Sequence, residues 1–234
     1  MQSTLILVRH GQSIYNQKNL FTGWTDVPLT PQGIEEARNV GKILKAHDLY
    51  PDICFTSWLK RAIHTANIAL AELGWEHIDQ LRSYRLNERH YGAWQGKNKD
   101  EVKKEYGEEM FLAVRRGYAT RPPLLDPNDP RVPWREKKYS LLARDTLPLG
   151  ESLKDTKERV VPYFESAIAP YLQKSKNVFV SAHGNSLRAL VMYLEKLSPK
   201  EIQNLEIPTG EIRVYVFDEN LQLNEKIQLD NKTL

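Results

Sequence analysis

Two histidines in this sequence stand directly after apolar segments and directly before a glycine. His10 follows "LILVR" and therefore has Arg9 as its neighbour, whereas His183 follows "VFVSA". Histidine titrates near neutral pH, so that it can serve as a nucleophile, a general base or a metal ligand. One such histidine is more often a buried structural residue. The repetition of the pattern, with a glycine that lets backbone approach a ligand, indicates a functional site.

The charged residues near these histidines favour an anionic ligand. Two histidines and a carboxylate such as Glu88 could bind zinc, which is the main alternative. Arg9 would repel a cation beside His10, however, and the sequence has no HExxH motif. The planar guanidinium of arginine suits phosphate oxygens, which it can bind with two hydrogen bonds. We therefore expect a site for a small anionic molecule, without a metal ion.

The order of predicted elements would bring the two histidines together. Apolar segments at residues 4–8, 51–57, near 78–84, 177–182 and 211–218 predict strands, and amphipathic segments at 29–48, 58–74, 151–173 and 185–197 predict helices. This alternation predicts an α/β fold, a three-layer sandwich with a mostly parallel central sheet and helices on both faces. Ligands in such folds bind beyond the carboxyl ends of the strands.

Residues 86–150 interrupt the alternation. They contain short polar helical segments and the proline-rich stretch "RPPLLDPNDPRVPW". A chain of 234 residues can bury one sizeable core. We expect a single domain over residues 1–234, with a helical and loop insertion at about 86–150 that covers part of the site.

The composition excludes several classes of protein. Hydrophobic residues make up 41% and charged residues 27% of the chain, and the mean hydropathy is −0.55. No apolar run approaches the roughly 20 residues of a membrane helix, and no secretory signal is recognisable. The net charge of +3 comes without a lysine and arginine block that would follow a nucleic-acid backbone. Cys54, the single cysteine, excludes an internal disulfide. We expect a cytoplasmic protein with neither membrane nor nucleic-acid partners.

Six segments together resemble the cofactor-dependent phosphoglycerate mutase family, within the larger group of histidine phosphatases. The resemblance extends from residue 5 to about residue 230, whereas "RHG" alone would indicate only the larger group. The segments are "LVRHGQSIYNQKNLFTGWTDVPLTPQG", "SWLKRAIHTA", "RLNERHYGAWQGKNKDEV", "AVRRGY", "LPLGESL" and "SAHGNSLRAL".

This resemblance implies a phosphohistidine mechanism in which His10 is the nucleophile. Arg9, Arg61 and His183 match residues that hold the transferring phosphate. Glu88 matches the acid/base residue, a role helped by burial that raises the pKa of a carboxyl group. The positions that match substrate contacts are Arg9, Ser13, Asn16, Thr22, Gly23, Arg61, Glu88, Tyr91, Lys99, Arg115, Arg116, Gly184 and Asn185.

The implied activity is the interconversion of 3-phosphoglycerate and 2-phosphoglycerate, with 2,3-bisphosphoglycerate as the phosphoryl primer and no metal. The resemblance further implies a homodimer or homotetramer. Two positions depart from the family pattern. Gln12 stands where glutamate is common, and the sequence ends at "LDNKTL", where relatives often continue as a mobile tail. Without such a tail the phosphohistidine would be less shielded from water, and we therefore expect increased hydrolysis of the phosphohistidine.

Two alternative functions stay open at this point. A phosphatase acting on a small phosphate ester would use the same His10 and Glu88. A phosphate-binding or scaffolding protein would keep only the fold, although it should then have lost a nucleophile, an acid or a cradle arginine. The cations in residues 86–150 could hold a second anionic group, which favours the mutase.

Overall fold

A six-stranded sheet forms the centre of the computed structural model, which describes residues 2–230. Its order is β3-β2-β4-β1-β5-β6. The strands β1 to β4 are mutually parallel, and β5 runs antiparallel to both of its neighbours. This arrangement confirms the predicted α/β fold with a mostly parallel sheet. The bounds are Ser3–Arg9 for β1, Ile53–Thr56 for β2, Gln80–Arg82 for β3, Val178–Ala182 for β4, Ile212–Phe217 for β5 and Leu223–Leu229 for β6.

The strand β6 is an element that the sequence patterns did not predict. Its sequence, "LNEKIQL", is largely polar, and its residues are almost all exposed. It pairs with β5 at one edge of the sheet, where charged side chains are common because they discourage further strand pairing. An apolar pattern is therefore weak in such a strand.

The register between β1 and β4 brings the two histidines together. Arg9 is aligned with Ala182 at the ends of these parallel strands, and the His10 amide donates to the Ala182 carbonyl at 3.0 Å. Both strands are buried at the centre of the sheet, which explains their continuous apolar sequence. Each histidine is thus the first residue beyond a buried strand.

Helices cover both faces of the sheet, because alternate strand residues point to opposite sides. On one face Leu5 and Leu7 pack with residues of α6, α7 and α8, and on the other face Ile6 and Val8 pack with α2 and α3. The helices are α1 (Ile14–Gln17), α2 (Pro31–Ala46), α3 (Lys60–Leu73), α4 (Lys99–Tyr106), α5 (Glu108–Arg115), α6 (Leu153–Tyr163), α7 (Ala169–Gln173) and α8 (Gly184–Leu194).

The predicted helix boundaries have clear physical causes. Thr30 caps α2 by accepting from the Gly33 amide, and Ser152 caps α6 in the same way. Gly74 ends α3 with φ +71°, a conformation that favours glycine. Pro162 lies inside α6, and a π-helical turn follows it at Phe164–Ile168.

Residues 86–150 consist of α4, α5, short 3-10 turns and extended loops. They pack on the body of the protein through two aromatic clusters. Phe21 and Trp94 belong to the first cluster, whereas Trp24 and Tyr139 belong to the second. Within residues 2–230 there is no helix long and apolar enough to cross a membrane. The chain end on which the expectation of increased hydrolysis rests, residues 231–234, lies outside the described residues.

Candidate active site

His10 is buried and has one ring nitrogen fixed by the main chain. Its Nδ1 lies 2.7 Å from the carbonyl oxygen of Gly11, which can only accept a hydrogen bond. Nδ1 therefore carries the hydrogen, and Nε2 keeps its lone pair. Burial, followed by the positive charges of Arg61 and Arg9, holds the pKa of His10 well below its ordinary value. The ring is consequently neutral at physiological pH, as a nucleophile must be.

Arg61 faces Nε2, the unprotonated nitrogen of His10. Its Nε donates to Nε2 of His10 at 3.3 Å, while its terminal nitrogens donate to the carbonyl oxygens of Gly23 and Thr25 at 2.8 and 2.9 Å. Gly23 has φ +52°, so a residue other than glycine would be strained where this carbonyl must turn toward the arginine. Burial lowers the pKa of Arg61 to about 10, and the guanidinium remains charged.

Arg9, which is half-buried at the end of β1, places a second guanidinium beside His10. One of its terminal nitrogens donates to the carbonyl of Ile207 at 2.5 Å, and its Nε is buried without a hydrogen-bond partner. Burial also lowers the pKa of Arg9. An unsatisfied buried donor is costly, and an anionic ligand in the pocket that Arg9 lines would reduce that cost.

His183 lies against His10 and is held by a serine. The two imidazole rings have centroids 5.0 Å apart, at an angle of 61°. The hydroxyl of Ser57 is 2.7 Å from Nε2 of His183. Burial, followed by the charge of Arg61, holds the pKa of His183 well below its ordinary value. The neutral imidazole of His183 thus lies close to His10, where it can form a hydrogen bond with a ligand.

Glu88 is buried beside these groups, with 8% of its surface exposed. Its Oε1 accepts from two main-chain amides, those of Arg89 at 2.8 Å and Asn185 at 3.0 Å. These two bonds fix the carboxyl group at the start of α8, and Oε2 takes part in neither of them. A carboxyl group held in this way, close to Arg9, can exchange a proton with a ligand oxygen.

Most of the residues predicted to contact substrate line one open pocket. His10, Arg61 and His183 are buried next to it, and Arg61 reaches its lining through the carbonyl of Gly23. The predicted residues that line the pocket are Arg9, Asn16, Thr22, Gly23, Glu88, Tyr91, Lys99, Arg115, Arg116, Gly184 and Asn185.

A second group of cations lies in the insertion. Lys99 begins α4, and Arg115 and Arg116 end α5, so the two helices present their charges to one pocket. Burial and then repulsion from Arg115 lower the pKa of Lys99. Arg116 forms an ion pair of 2.8 Å with Glu206, which also lines the pocket. A ligand with two separated anionic groups would match these cations together with Arg9 and Arg61.

Apart from Arg61, Ser13 is the predicted contact residue that does not line this pocket. It is fully buried, and its hydroxyl donates to Oδ1 of Asn16 at 2.8 Å while it caps the short helix α1. The structure therefore gives Ser13 a supporting contact with a pocket residue.

The two glycines that follow the histidines have different surroundings. A Cβ added to Gly11 would lie 2.2 Å from the carbonyl oxygen of Gly33, at the start of α2. A Cβ added to Gly184 would meet the Arg9 guanidinium at an ordinary 3.5 Å. Gly11 is thus needed for close packing of α2, a role that the interpretation made from the sequence did not include.

Several pocket and supporting residues were not singled out from the sequence. Arg188 and Glu206 line the pocket, Ser57 contacts His183, and Arg89 is completely buried behind Tyr91. Ser57 directly follows the strand β2, so its position at a strand end was a usable signal. Within residues 2–230, no group of three or more His, Cys, Asp or Glu side chains could hold a metal ion.

The sequence and fold match known proteins over nearly the whole chain. The model of the histidine phosphatase superfamily, branch 1, matches residues 5–129 and 126–229. A 2,3-bisphosphoglycerate-dependent phosphoglycerate mutase of Hydrogenobaculum sp. is 51% identical over 99% of this chain and 94% of its own length. The protein of the same name from Bifidobacterium longum is 52% identical over 95% of this chain and 89% of its own length.

A solved structure, phosphoglycerate mutase from Bacillus anthracis, has the same fold. Its TM-score is 0.69, and the match covers 95% of this chain and 92% of that chain at 21% sequence identity. The family model and the relatives at about half identity agree with the resemblance carried by the six sequence segments. The chain belongs to the histidine phosphatase superfamily, branch 1, and within it to the 2,3-bisphosphoglycerate-dependent phosphoglycerate mutase family.

Proposed function

We propose that this protein interconverts 3-phosphoglycerate and 2-phosphoglycerate through a phosphorylated His10, and that 2,3-bisphosphoglycerate supplies the priming phosphoryl group. The observation that carries this proposal is the state of His10. Its Nδ1 donates to Gly11, its ring is neutral, and its Nε2 faces Arg61. Attack on phosphorus requires a neutral imidazole with a lone pair on one nitrogen, and nearby positive charges stabilise the charge on the phosphoryl oxygens.

Glu88 donates a proton in the first half of the phosphoryl transfer and accepts one in the second half. Nε2 of His10 forms a bond to phosphorus as the bond from phosphorus to the substrate oxygen breaks, and Glu88 protonates that departing oxygen. In the second half, Glu88 takes the proton from the attacking hydroxyl, and the bond between phosphorus and Nε2 breaks. Arg9 and Arg61 balance the charge that spreads over the phosphoryl oxygens.

The residues at the far side of the pocket would select the substrate. Lys99, Arg115 and Arg116 can hold a carboxylate and a second phosphate while the first phosphate contacts Arg9. A glycerate that carries two phosphates therefore fits as the primer. We include Asn16, Thr22, Tyr91 and Asn185 as hydrogen-bonding residues for the same ligand.

Location and assembly are part of the proposal. We infer a cytoplasmic enzyme, as its family membership and its phosphoglycerate substrates suggest. We also infer a homodimer or homotetramer from the family resemblance. Sedimentation equilibrium at several protein concentrations measures the assembly directly, and a single species with the mass of one chain would contradict the inference.

The deciding experiment is a paired assay on protein treated with EDTA. It supplies 3-phosphoglycerate with and without 2,3-bisphosphoglycerate and follows 2-phosphoglycerate and free phosphate together. We expect isomerisation that requires the bisphosphate, survives EDTA and is much faster than phosphate release. Phosphate release without isomerisation would make the protein a phosphatase. Silence in both assays would favour a phosphate-binding protein.

A further inference from the structure

Two arginines outside the predicted site are buried without an acidic partner. Arg89 is 0% and Arg188 is 4% exposed. Among the described residues, neither forms an ion pair with a carboxylate within 4.0 Å, and the Nε of each has no hydrogen-bond partner. Burial and then repulsion from Arg89 lower the pKa of Arg188 to about 10, so it stays charged. Such burial is costly unless the guanidinium makes other strong hydrogen bonds.

Three of their hydrogen bonds go to consecutive carbonyl oxygens at the end of α5, and Arg188 also donates to the carbonyl of Ile202 at 2.8 Å. Arg89 donates to the carbonyls of Val114 at 2.6 Å and Arg115 at 3.0 Å, and Arg188 donates to the carbonyl of Arg116 at 3.0 Å. The last carbonyls of a helix lack partners within the helix and form the negative end of its dipole. The two guanidinium groups together act as a cap on this helix.

The same arginines also hold pocket residues on the opposite wall. Arg89 donates to the Tyr91 hydroxyl at 2.8 Å, and Arg188 donates to Oδ1 of Asn185 at 2.8 Å. Nδ2 of Asn185 in turn donates to the Tyr91 hydroxyl at 3.2 Å. The network therefore joins the end of α5 to Tyr91 and to the start of α8.

This network also sets the direction of the Tyr91 hydroxyl. Its oxygen accepts from both Arg89 and Asn185, which uses both lone pairs. The hydroxyl hydrogen must therefore point elsewhere, and Tyr91 lines the pocket. Burial alone would raise the pKa of Tyr91, but the charge of Arg89 and the hydrogen bonds from Arg89 and Asn185 together lower that pKa. Tyr91 is thereby a good donor to an anion.

We propose that Arg89 and Arg188 are positioning residues for the second anionic subsite. They hold the end of α5 so that Arg115 and Arg116 face the pocket, and they direct the Tyr91 hydroxyl toward the ligand. They act through these groups and not by contact with the transferring phosphate. This inference rests on the proposed function only in naming the ligand as a glycerate that carries a phosphate and a carboxylate.

The test compares two ligands that engage different parts of the site. Monomeric orthovanadate probes the surroundings of His10 alone, whereas 3-phosphoglycerate also needs the second subsite. We expect Arg89→Gln and Arg188→Gln to weaken 3-phosphoglycerate binding about 10- to 100-fold, which is typical for lost charge-assisted hydrogen bonds. Vanadate binding should change little. Calorimetry on unphosphorylated protein measures both dissociation constants.

Arg131→Gln provides a matched control. Arg131 lies in the same insertion and donates to the main-chain carbonyl of Gln95 at 2.8 Å and to the carboxylate of Asp129, and within residues 2–230 its side chain forms no hydrogen bond with α5. Its loss should leave both dissociation constants unchanged. Equal weakening of vanadate and 3-phosphoglycerate in the Arg89 or Arg188 variants, or no weakening of either, would overturn the proposal.

The lysine variants separate the effect of hydrogen-bond geometry from the effect of charge. They also provide a second test in case the glutamine variants fail to fold. Lysine keeps the charge at positions 89 and 188 but cannot reproduce the planar fork of donors. We expect Arg89→Lys and Arg188→Lys to bind 3-phosphoglycerate with intermediate strength. They should also increase hydrogen exchange at the amides of Arg116 and Gly117, which bond to Leu112. Full recovery of binding, or unchanged exchange, would refute positioning.

These measurements also separate this inference from the proposed function. Neither binding nor hydrogen exchange requires turnover. A parent protein that binds both ligands but does not isomerise 3-phosphoglycerate would refute the mutase activity. The comparison between vanadate and 3-phosphoglycerate would still decide the roles of Arg89 and Arg188.

Discussion

Arg61 donates its Nε hydrogen to Nε2 of His10 across 3.3 Å. The nitrogen that would attack phosphorus is thus covered by a cation that would afterwards stabilise the transferred group. Two main-chain carbonyls hold the Arg61 guanidinium beside His10. When Nε2 attacks phosphorus, its hydrogen bond with Arg61 must break, and the Nε hydrogen can then be donated to a phosphoryl oxygen. This contact links the proposed nucleophile and its charge state to a residue of the proposed phosphate cradle.

Replacement of His10 should remove the phosphoryl acceptor. We expect His10→Ala to abolish isomerisation and the incorporation of radioactive phosphate from labelled 2,3-bisphosphoglycerate. His64→Ala is the control, because His64 lies exposed on α3. Acid-labile label that persists in His10→Ala would show that another residue accepts the phosphoryl group.

Replacement of Arg61 should change both the rate and its pH dependence. Loss of this donor should lower kcat by about 10²- to 10³-fold, as for other groups that stabilise a charged transition state. The charge of Arg61 helps to lower the pKa of His10, so Arg61→Gln should raise that pKa toward its ordinary value. Protonation of His10 removes the nucleophile, and the acidic limb of kcat/KM should therefore move to higher pH. An unmoved limb would contradict the assigned charge coupling.

The buried histidines should make the protein less stable in acid. Burial, followed by the charges of Arg159 and Arg131, lowers the pKa of His90 to about 3. The unfolded chain binds a proton at this residue below about pH 6.5, while the folded protein does not. Between about pH 6.5 and 3, His90 alone should reduce the free energy of unfolding by up to about 1.4 kcal/mol per pH unit.

Urea unfolding at several pH values tests this linkage. His90→Asn should show a weaker loss of stability between pH 7 and 5 than the parent, whatever its absolute stability. His47→Gln, which replaces an exposed histidine, should keep the parent slope. Equal slopes in the parent and His90→Asn would mean that His90 is protonated in the folded state.

The two glycines after the histidines should respond differently to alanine. Gly11→Ala places a methyl group against the Gly33 carbonyl and should destabilise the protein by about 3 kcal/mol, as overpacked positions do. Gly184→Ala meets only the side chain of Arg9 at an ordinary distance and should cost much less. Thermal unfolding of both variants measures the difference. Similar melting temperatures would show that α2 can shift away from Gly11.

The sequence alone determined the α/β class and the meeting of the two histidines. Buried parallel strands need continuous apolar residues, so β1 and β4 were recognisable, and their common carboxyl edge followed from the strand and helix order. The polar edge strand β6 lacked this signal. The antiparallel direction of β5 was also left open, because the strand pattern of a buried segment does not record its direction.

The tertiary structure alone decided how the site is supported. Ser57 and His183 are 126 residues apart, and Arg188 contacts the Arg116 carbonyl across 72 residues. The carbonyl of Gly33 on α2 leaves no room for a side chain at Gly11. Local patterns record which face of an element is buried, but they do not record which distant groups meet there. Those contacts depend on how strands, helices and the insertion pack together.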